Sequence, residues 1–329
     1  MMEGFPGRGK KLPNQSDRLR RKCSHYIFIL FRTLFFIGII YVLLFPLLVM
    51  VSRALRTAED MYNPTVVWIP QHFTLDNFQE AAKLLNFSTS GVASGRIAVI
   101  GTILTMVSCS MAGYALGRFS MKGKGVMTGL AILTIVVPIQ TYLIPLFFRF
   151  RFFDYFGGGQ IISFFGGPSL AVSLVESELP YYILAVTGMG IRSGLFILVF
   201  SQFFRSMPKE LDDAARIDGC GEVGTFTRIM LPNALAPYLV TFILSVVWYW
   251  NDTVYSSVMM QRQPLLSERL SNIRKLLLAA ESGATRGDGT GETVVIFASA
   301  MLFVMPPLIF YLIAQKFFMQ SVERSGIVG

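Results

Sequence analysis

Nucleotide phosphate binding is the first chemistry that the sequence suggests, because Gly4, Gly9 and Lys10 have part of the spacing of a phosphate-binding loop. Such a loop needs a Ser or Thr hydroxyl after the lysine to hold magnesium, and Lys11 stands there instead. Paired carboxylates, a nucleophile elbow and a metal-ligand cluster are also missing from the sequence pattern. We therefore expect no catalytic residue, no cofactor and no metal ion in this chain.

The cysteines and histidines predict no reactive site either. Cys23, Cys109 and Cys220 fall in a basic flank, an apolar run and a polar segment, so no two of them are placed as metal ligands or as disulfide partners. His25 and His72 lie far apart and have no catalytic partner pattern. If the chain moves a solute against a gradient, the energy must come from a partner ATPase or a coupled ion.

A polar segment at 207–232, between two apolar runs, predicts a short helix with its own stop signal. Pro208 suits a first helical turn, and Arg216 comes late in the helix. Gly219 is the kind of residue that ends a helix in the left-handed conformation. Acidic residues near the positive end of the helix dipole are Glu210, Asp212 and Asp213.

Two small side chains in the middle of this helix favour a docking function. Ala214 and Ala215 give a surface with almost no side chain, which lets another protein approach closely. The alternative is an ordinary interfacial helix lying on lipid. The helix lacks the bulky apolar face that this alternative needs.

The composition predicts a polytopic, all-α membrane protein. The 329 residues are 53% hydrophobic and only 15% charged, whereas soluble chains carry about a quarter charged residues. Several apolar runs exceed the roughly 18 residues that cross a bilayer. No cleavable signal peptide is expected, because the first run is long and ends at Ser52-Arg53.

We predict a disordered basic arm at 1–25 and a transmembrane domain at 26–329. A further amphipathic helix is expected near 266–280, in an external segment. The domain should contain six transmembrane helices, at about 26–51, 97–116, 126–148, 182–204, 237–250 and 293–317.

The distribution of Lys and Arg predicts that both termini are cytoplasmic. Seven Lys or Arg residues precede residue 23, and the short loop at 117–125 is also basic. The net charge of +9 thus indicates the cytoplasmic side and anionic headgroups, and no nucleic-acid partner. This orientation places 207–232 in the cytoplasm.

Three residues are candidates for a substrate path. Arg192 lies within an apolar run, where a charge usually faces protein or water. The alternative is that Arg192 sits at the external interface or holds a helix junction. Asn251 and Asp252 could line an external gate, but they could equally cap the fifth helix.

The 207–232 segment resembles the EAA loop of ABC-importer permeases, which docks on the ATPase. The pattern consists of Asp213-Ala214-Ala215, Asp218-Gly219, Phe226, Ile229, Leu231-Pro232 and Pro237. Asp213 replaces the usual Glu, which keeps the charge, and Cys220 replaces a small Ala. The resemblance assigns ATPase coupling to Glu210, Asp213, Ala214, Ala215, Asp218, Gly219, Phe226 and Pro232.

Further motifs are similar to the smaller permease subunit of carbohydrate importers. They cover about 45–329, with divergent external sequence at 150–180 and 261–292. They include Phe45-Pro46-Leu47-Leu48, Trp68-Ile69-Pro70, Asn77-Phe78, Ala112 to Phe119, Pro138-x-Gln140, Trp250-Asn251-Asp252 and Gln315-Lys316-Phe317-Phe318.

The resemblance implies a permease that is not itself an enzyme, in a prokaryotic cell membrane. Its expected partners are two cytoplasmic ATP-binding subunits, a second permease, an extracytoplasmic solute-binding protein and membrane lipid. The expected cargo is a sugar or oligosaccharide. The alternatives are an importer for a polyamine or peptide, an ion-coupled secondary transporter, or a membrane anchor or sensor. A secondary transporter would predict paired intramembrane acids or internal repeats, and the apolar runs contain almost none.

Overall fold

The computed structural model describes residues 15–154, 172–281 and 290–326, and these are mostly helical. Among them, the isolated β-bridges are single pairings of Arg56 with Phe73 and Phe153 with Val172. Most of the predicted basic arm, 1–14, lies outside the described residues. From Gln15 onward the arm is helical and continuous with the first helix, which therefore starts earlier than we predict.

The helices divide into long apolar ones and short polar ones that join them. In chain order they are α1 (Gln15–Ala54), α2 (Ala58–Tyr62), α3 (Asp76–Leu84), α4 (Phe87–Arg118), α5 (Lys124–Val136), α6 (Gln140–Arg151), α7 (Leu179–Val186), α8 (Ser193–Ser206), α9 (Glu210–Ile217), α10 (Glu222–Thr225), a π-helical turn (Phe226–Met230), α11 (Leu231–Asn233), α12 (Leu235–Trp250), α13 (Val254–Met259), α14 (Leu266–Ser271), α15 (Ile273–Glu281) and α16 (Thr290–Gly326).

Three described helical stretches are long and apolar enough to cross a membrane: Ser24–Ala54, Phe87–Arg118 and Glu292–Lys316. Two bent pairs would raise the number of crossings to five. The α5 and α6 axes meet at 101°, and Glu222–Asn233 meets α12 at 77°. Proline explains both bends, because Pro138 falls between α5 and α6, and Pro232 precedes α12.

The predicted span at 182–204 is not one continuous helix. It is divided between α7 and α8 by a break at 187–192. Gly188 and Arg192 have φ angles of 72° and 59° there, in the left-handed region that an α-helix cannot contain. The apolar composition of this run predicted its membrane character, but the hydropathy pattern did not reveal the break.

Helix α4 is the central element of the fold, since it packs on α7, α8 and α12. Its contact with α8 depends on Gly113 and Gly117. A Cβ atom at Gly113 would lie 2.4 Å from the Cβ of Phe200, and one at Gly117 would lie 2.9 Å from the carbonyl oxygen of Ser201. Small residues four apart allow two membrane helices to approach this closely.

Helix α1 packs against α16 but leaves most of its own surface uncovered. None of its most apolar part is buried within the chain, although Ala54 at its end is fully buried. This surface therefore has to face lipid or another protein.

The end of the molecule opposite α9 is closed by short helices. The amphipathic helix predicted near 266–280 is present as α14 and α15, separated at Asn272. Leu266 and Leu277 are buried, whereas Arg274 is exposed, as an amphipathic helix requires.

Candidate functional site

Helix α9 ends at Gly219 in the way that its sequence predicts. Gly219 has a φ of 76°, and its N–H donates to the Arg216 carbonyl at 3.1 Å. The Cys220 N–H donates to the Ala215 carbonyl at 2.9 Å, which completes a Schellman motif. The left-handed end of α9 is thus confirmed. The helix begins at Glu210, two residues after Pro208.

The two alanines of α9 lie on different sides of the helix. Ala214 is exposed, but Ala215 is only 1% exposed within this chain. Our expectation that both alanines form a docking surface is therefore corrected: Ala215 is small because α9 packs on its own chain. The residues on the open side are Glu210, Asp213, Ala214, Ile217 and Asp218.

Apolar side chains flank this open side, which the sequence analysis did not anticipate. Ile217 is 86% exposed and Val223 is 77% exposed. Ile217 lies on the acidic helix α9 and Val223 on the following helix α10, so both apolar side chains are available for contact with a partner.

Arg118 connects the end of α4 to the start of α9. Its side chain is 6% exposed and forms an ion pair with Asp212, with Nε 2.9 Å from Oδ2. Its Nη1 donates to the Met207 carbonyl at 2.8 Å, and its Nη2 donates to the Pro208 carbonyl at 2.7 Å. Arg118 and Asp212 lie far apart in the sequence, so sequence patterns give no signal of this contact.

An aromatic group lies beneath α9 and joins three elements. The ring centre of Tyr114 on α4 lies 5.6 Å from that of Phe204 on α8 and 5.1 Å from that of Phe226 in the π-helical turn. It also lies 5.3 Å from the ring centre of Phe119, just after α4. Phe226 is partly buried, so its side chain packs within the chain. Such edge and tilted ring contacts form a stiff connection.

Pro232 has a structural explanation in the π-helical turn before it. Proline has no N–H and displaces the carbonyl four residues earlier, and the Leu231 N–H instead reaches the Phe226 carbonyl. The Asn233 side chain donates to the Ile229 carbonyl at 2.7 Å, which satisfies that carbonyl.

The three candidates for the substrate path occupy different environments. Arg192 is exposed at the break between α7 and α8, with its guanidinium carbon 5.9 Å from the Trp248 ring centre. Asn251 is exposed and donates to the Val247 carbonyl at 2.8 Å, so it caps α12. The structure does not bring Arg192 together with Asn251 or Asp252.

Asp252 is buried, and its carboxylate binds the start of α13 instead of capping the end of α12. Tyr181 donates its hydroxyl to Asp252 Oδ2 at 2.7 Å. The N–H groups of Tyr255 and Ser256 donate to the same carboxylate at 3.2 Å each. This carboxylate therefore joins α7 to the start of α13 and has little surface left for a solute.

A cavity of about 460 Å³ opens at the end of the molecule opposite α9. Glu268 at its edge accepts a hydrogen bond from Asn272 at 2.7 Å. The lining includes Arg262, Pro264, Glu268, Arg269, Asn272 and Leu276. Among the residues that the structure describes, no group of three His, Cys, Asp or Glu side chains could hold a metal ion.

Comparison with known proteins places this geometry in context. The family described as "Binding-protein-dependent transport system inner membrane component" matches residues 109–324. The alpha-glucoside transport system permease protein AglG of Rhizobium meliloti (strain 1021) is 26% identical over 261 residues, which are 79% of this chain and 62% of AglG. This chain therefore spans less than two thirds of AglG.

A second relative matches along almost its whole length. The arabinooligosaccharides transport system permease protein AraQ of Halalkalibacterium halodurans is 25% identical over 306 residues, 90% of this chain and 95% of AraQ. The fold also resembles the crystal structure of a bacterial ABC transporter involved in the import of the acidic polysaccharide alginate. That match has a TM-score of 0.64 and 18% identity, and covers 94% of this chain and 100% of the other.

Proposed function

The chain belongs to the family of binding-protein-dependent transport system inner membrane components, and from this membership we propose that it is a permease subunit of an ATP-driven importer for a sugar or oligosaccharide. The chain is a multi-pass protein of the plasma membrane, and its family works with ATP-binding subunits and a solute-binding protein. The names of AglG and AraQ support a carbohydrate as the cargo. A polyamine or peptide remains the alternative cargo.

We propose six membrane crossings with both termini in the cytoplasm. Helices α1, α4, α12 and α16 would cross alone, and two broken pairs would cross as α5 with α6 and α7 with α8. The basic N-terminal arm supports this orientation. In this arrangement α9 is cytoplasmic and the 460 Å³ cavity is external.

Helix α9 would dock in a groove of the ATP-binding subunit. The observation that carries this proposal is that Arg118 holds α9 to the end of α4 while the opposite side of α9 stays open. Exposed Ile217 would insert into the partner, and Ala214 would permit close approach. Asp213 would accept a hydrogen bond or salt bridge from a basic group of the ATPase.

A push on α9 would reach the membrane helices by two routes. One route is Arg118 into α4, and the other is the ring contacts of Tyr114 with Phe204 on α8 and with Phe226. Because α4 packs on α7, α8 and α12, a displacement at α9 would move these helices as a group.

The proposed assembly contains a second permease and two ATP-binding subunits. The uncovered apolar surface of α1 supports a membrane neighbour of this kind. The cavity lined by Arg262 and Arg269 is the proposed contact region for the solute-binding protein.

The docking surface can be tested with Ala214→Trp, compared with Lys122→Trp at an exposed position outside α9. We expect the first variant to lose at least about ten-fold in ATPase co-purification from mild detergent and to lose ATP-driven uptake, because an indole would hold the two surfaces apart. The second variant should behave as wild type. Retention of the ATPase and of uptake by Ala214→Trp would contradict docking through α9.

A further inference from the structure

We propose that Arg192 binds a carboxylate of the solute inside the membrane path, so that this importer accepts acidic sugars. The inference rests on the proposed function, because it concerns which sugars the permease passes. Three features of the structure support it: the depth of Arg192, the contacts of its side chain and the packing of the helix break around it.

The position of Arg192 along its helix places it deep in the membrane. It immediately precedes α8, whose 14 residues extend about 21 Å toward the coupling helix. Trp248, which it contacts, lies near the far end of the 16-residue α12. In the proposed arrangement of crossings, both side chains would therefore lie beyond the middle of a hydrocarbon core about 30 Å thick.

The described part of this chain gives the Arg192 guanidinium no acidic partner. Among the described residues, Arg96 contacts Glu178 at 2.5 Å and Arg118 contacts Asp212 at 2.9 Å, whereas Arg192 has no ion pair and lies over the Trp248 ring. Its side chain is exposed. An unpaired cation at this depth faces water or an anionic partner, because contact with lipid is strongly unfavourable.

Packing on one side of the break leaves Arg192 on the open side. A Cβ at Gly190 would lie 2.5 Å from the Tyr249 hydroxyl, and one at Gly194 would lie 2.1 Å from the Thr134 Oγ1. Residues on either side of Arg192 are thus pressed against α12 and α5. Irregular backbone at membrane depth is tolerated where it is buried in protein or lines a water-filled cavity, and Arg192 would face such a cavity.

The chemistry of this arrangement selects a carboxylate. A guanidinium binds a carboxylate through two parallel hydrogen bonds, and a neutral sugar hydroxyl offers no such match. The contact with Trp248 holds the guanidinium by a cation–π interaction, so Trp248 is a positioning residue. The positive N-terminal end of the α8 dipole also lies at Arg192, and it favours binding of a negatively charged carboxylate.

The experiment measures uptake of trigalacturonate and of maltotriose by the complete reconstituted importer with its solute-binding protein. In Arg192→Gln we expect the ratio of acidic to neutral uptake to fall at least about ten-fold, the value of one charged hydrogen-bonded contact. Arg192→Lys and Trp248→Leu should fall between wild type and Arg192→Gln. The matched control is Arg205→Gln, on the exposed last turn of the same helix, with an unchanged ratio.

Each outcome decides between the two proposals. Uptake of neither sugar by the wild-type importer contradicts the proposed function. Uptake of maltotriose without trigalacturonate, or a ratio that Arg192→Gln leaves unchanged, overturns the inference. Equal loss of both sugars in Arg192→Gln, with the ATPase still co-purifying, also overturns it, since Arg192 would then serve a contact with the second permease.

Discussion

At the scale of single residues, Arg118 determines how α9 is held. Its guanidinium reaches two backbone carbonyls and a carboxylate, all of them contributed by residues 207–212. Few side chains other than arginine could donate to two carbonyls and form an ion pair with a third group at the same time. The exposed side of α9 therefore has a defined orientation relative to α4.

Removal of the Arg118 guanidinium should uncouple the permease from its ATPase. In Arg118→Met the carbonyls of Met207 and Pro208 and the Asp212 carboxylate lose their partner, at about 1–3 kcal/mol for each group left unpaired. We expect ATP-driven uptake to fall at least about ten-fold while membrane insertion persists. Arg118→Lys should retain part of the activity because it keeps the ion pair.

The measurement is uptake together with the amount of permease in the membrane fraction. Lys122→Met removes a neighbouring exposed charge of the same loop and serves as the control. If Arg118→Met transported at the wild-type rate, α9 would be held by other contacts.

At the scale of helices, the close contact between α4 and α8 is the route by which a displacement of α9 would reach the membrane helices in the proposed mechanism. The two backbones approach at Gly117, next to Arg118, and at Gly113, about one turn further along α4. A contact this close has two discrete states, packed or separated, because side chains in it have no room to adjust.

A methyl group at Gly113 should separate these helices. Gly113→Ala places its Cβ 2.4 Å from that of Phe200, so the helices must shift, at a cost of about 1–3 kcal/mol. We expect a lower melting temperature of the purified complex and weaker uptake. Gly129→Ala, on α5 with nothing within 4 Å of its added Cβ, is the matched control and should be neutral. Equal effects of the two substitutions would contradict the packing argument.

The segment between α1 and α3 contains a pH-dependent contact. His72 Nδ1 lies 2.9 Å from Asp60 Oδ1, and the His72 N–H donates to Asp60 Oδ2 at 2.8 Å. The hydrogen bond that the His72 ring donates to the Asp60 carboxylate raises the pKa of His72. The backbone hydrogen bond from His72 is the largest influence that lowers the pKa of Asp60.

This contact should weaken as the pH rises. Because the pKa of His72 is raised in the folded state, its stabilisation is complete below the ordinary value of about 6.5 and is lost as pH passes through the raised value. The lowered pKa of Asp60 keeps the carboxylate charged above its ordinary value of about 3.9. The contact is therefore strongest between these two ordinary values.

Amide hydrogen exchange of residues 57–75, corrected for intrinsic pH dependence, measures this effect. Protection in the wild type should decrease above about pH 6.5. In His72→Gln the backbone hydrogen bond remains but the titrating ring is absent, so this decrease should disappear. An identical decrease in His72→Gln would assign the pH dependence to other groups.

At the scale of the whole molecule, the structure joins two ends with different surfaces. One end presents α9 with exposed Ile217, and the other contains the cavity beside Arg269. Helix α4 runs between these two ends. Near its beginning, Ser94 accepts a hydrogen bond from the Leu266 N–H at the start of α14, and at its end Arg118 donates to the Met207 carbonyl. In the proposed orientation, a rigid element that contacts both ends would couple solute binding outside to ATP hydrolysis inside.

The sequence by itself determined that this is a membrane protein and that α9 ends at Gly219. Five of the six predicted crossing segments also correspond to straight or bent helices that could cross a membrane. These features depend on composition and on local backbone preferences, and both are determined by residues that are close together in the sequence. The bend between α5 and α6 occurs at Pro138, a residue that is visible in the sequence.

Only the tertiary structure decided which side of each helix is covered. It placed Ala215 inside and Ala214 outside, buried Asp252 under Tyr181, and joined Arg118 to Asp212. It also divided α7 from α8 at Arg192, within a run that hydropathy predicts to be continuous. These outcomes depend on contacts between residues far apart in the chain, and periodicity and composition report only on residues that are near one another.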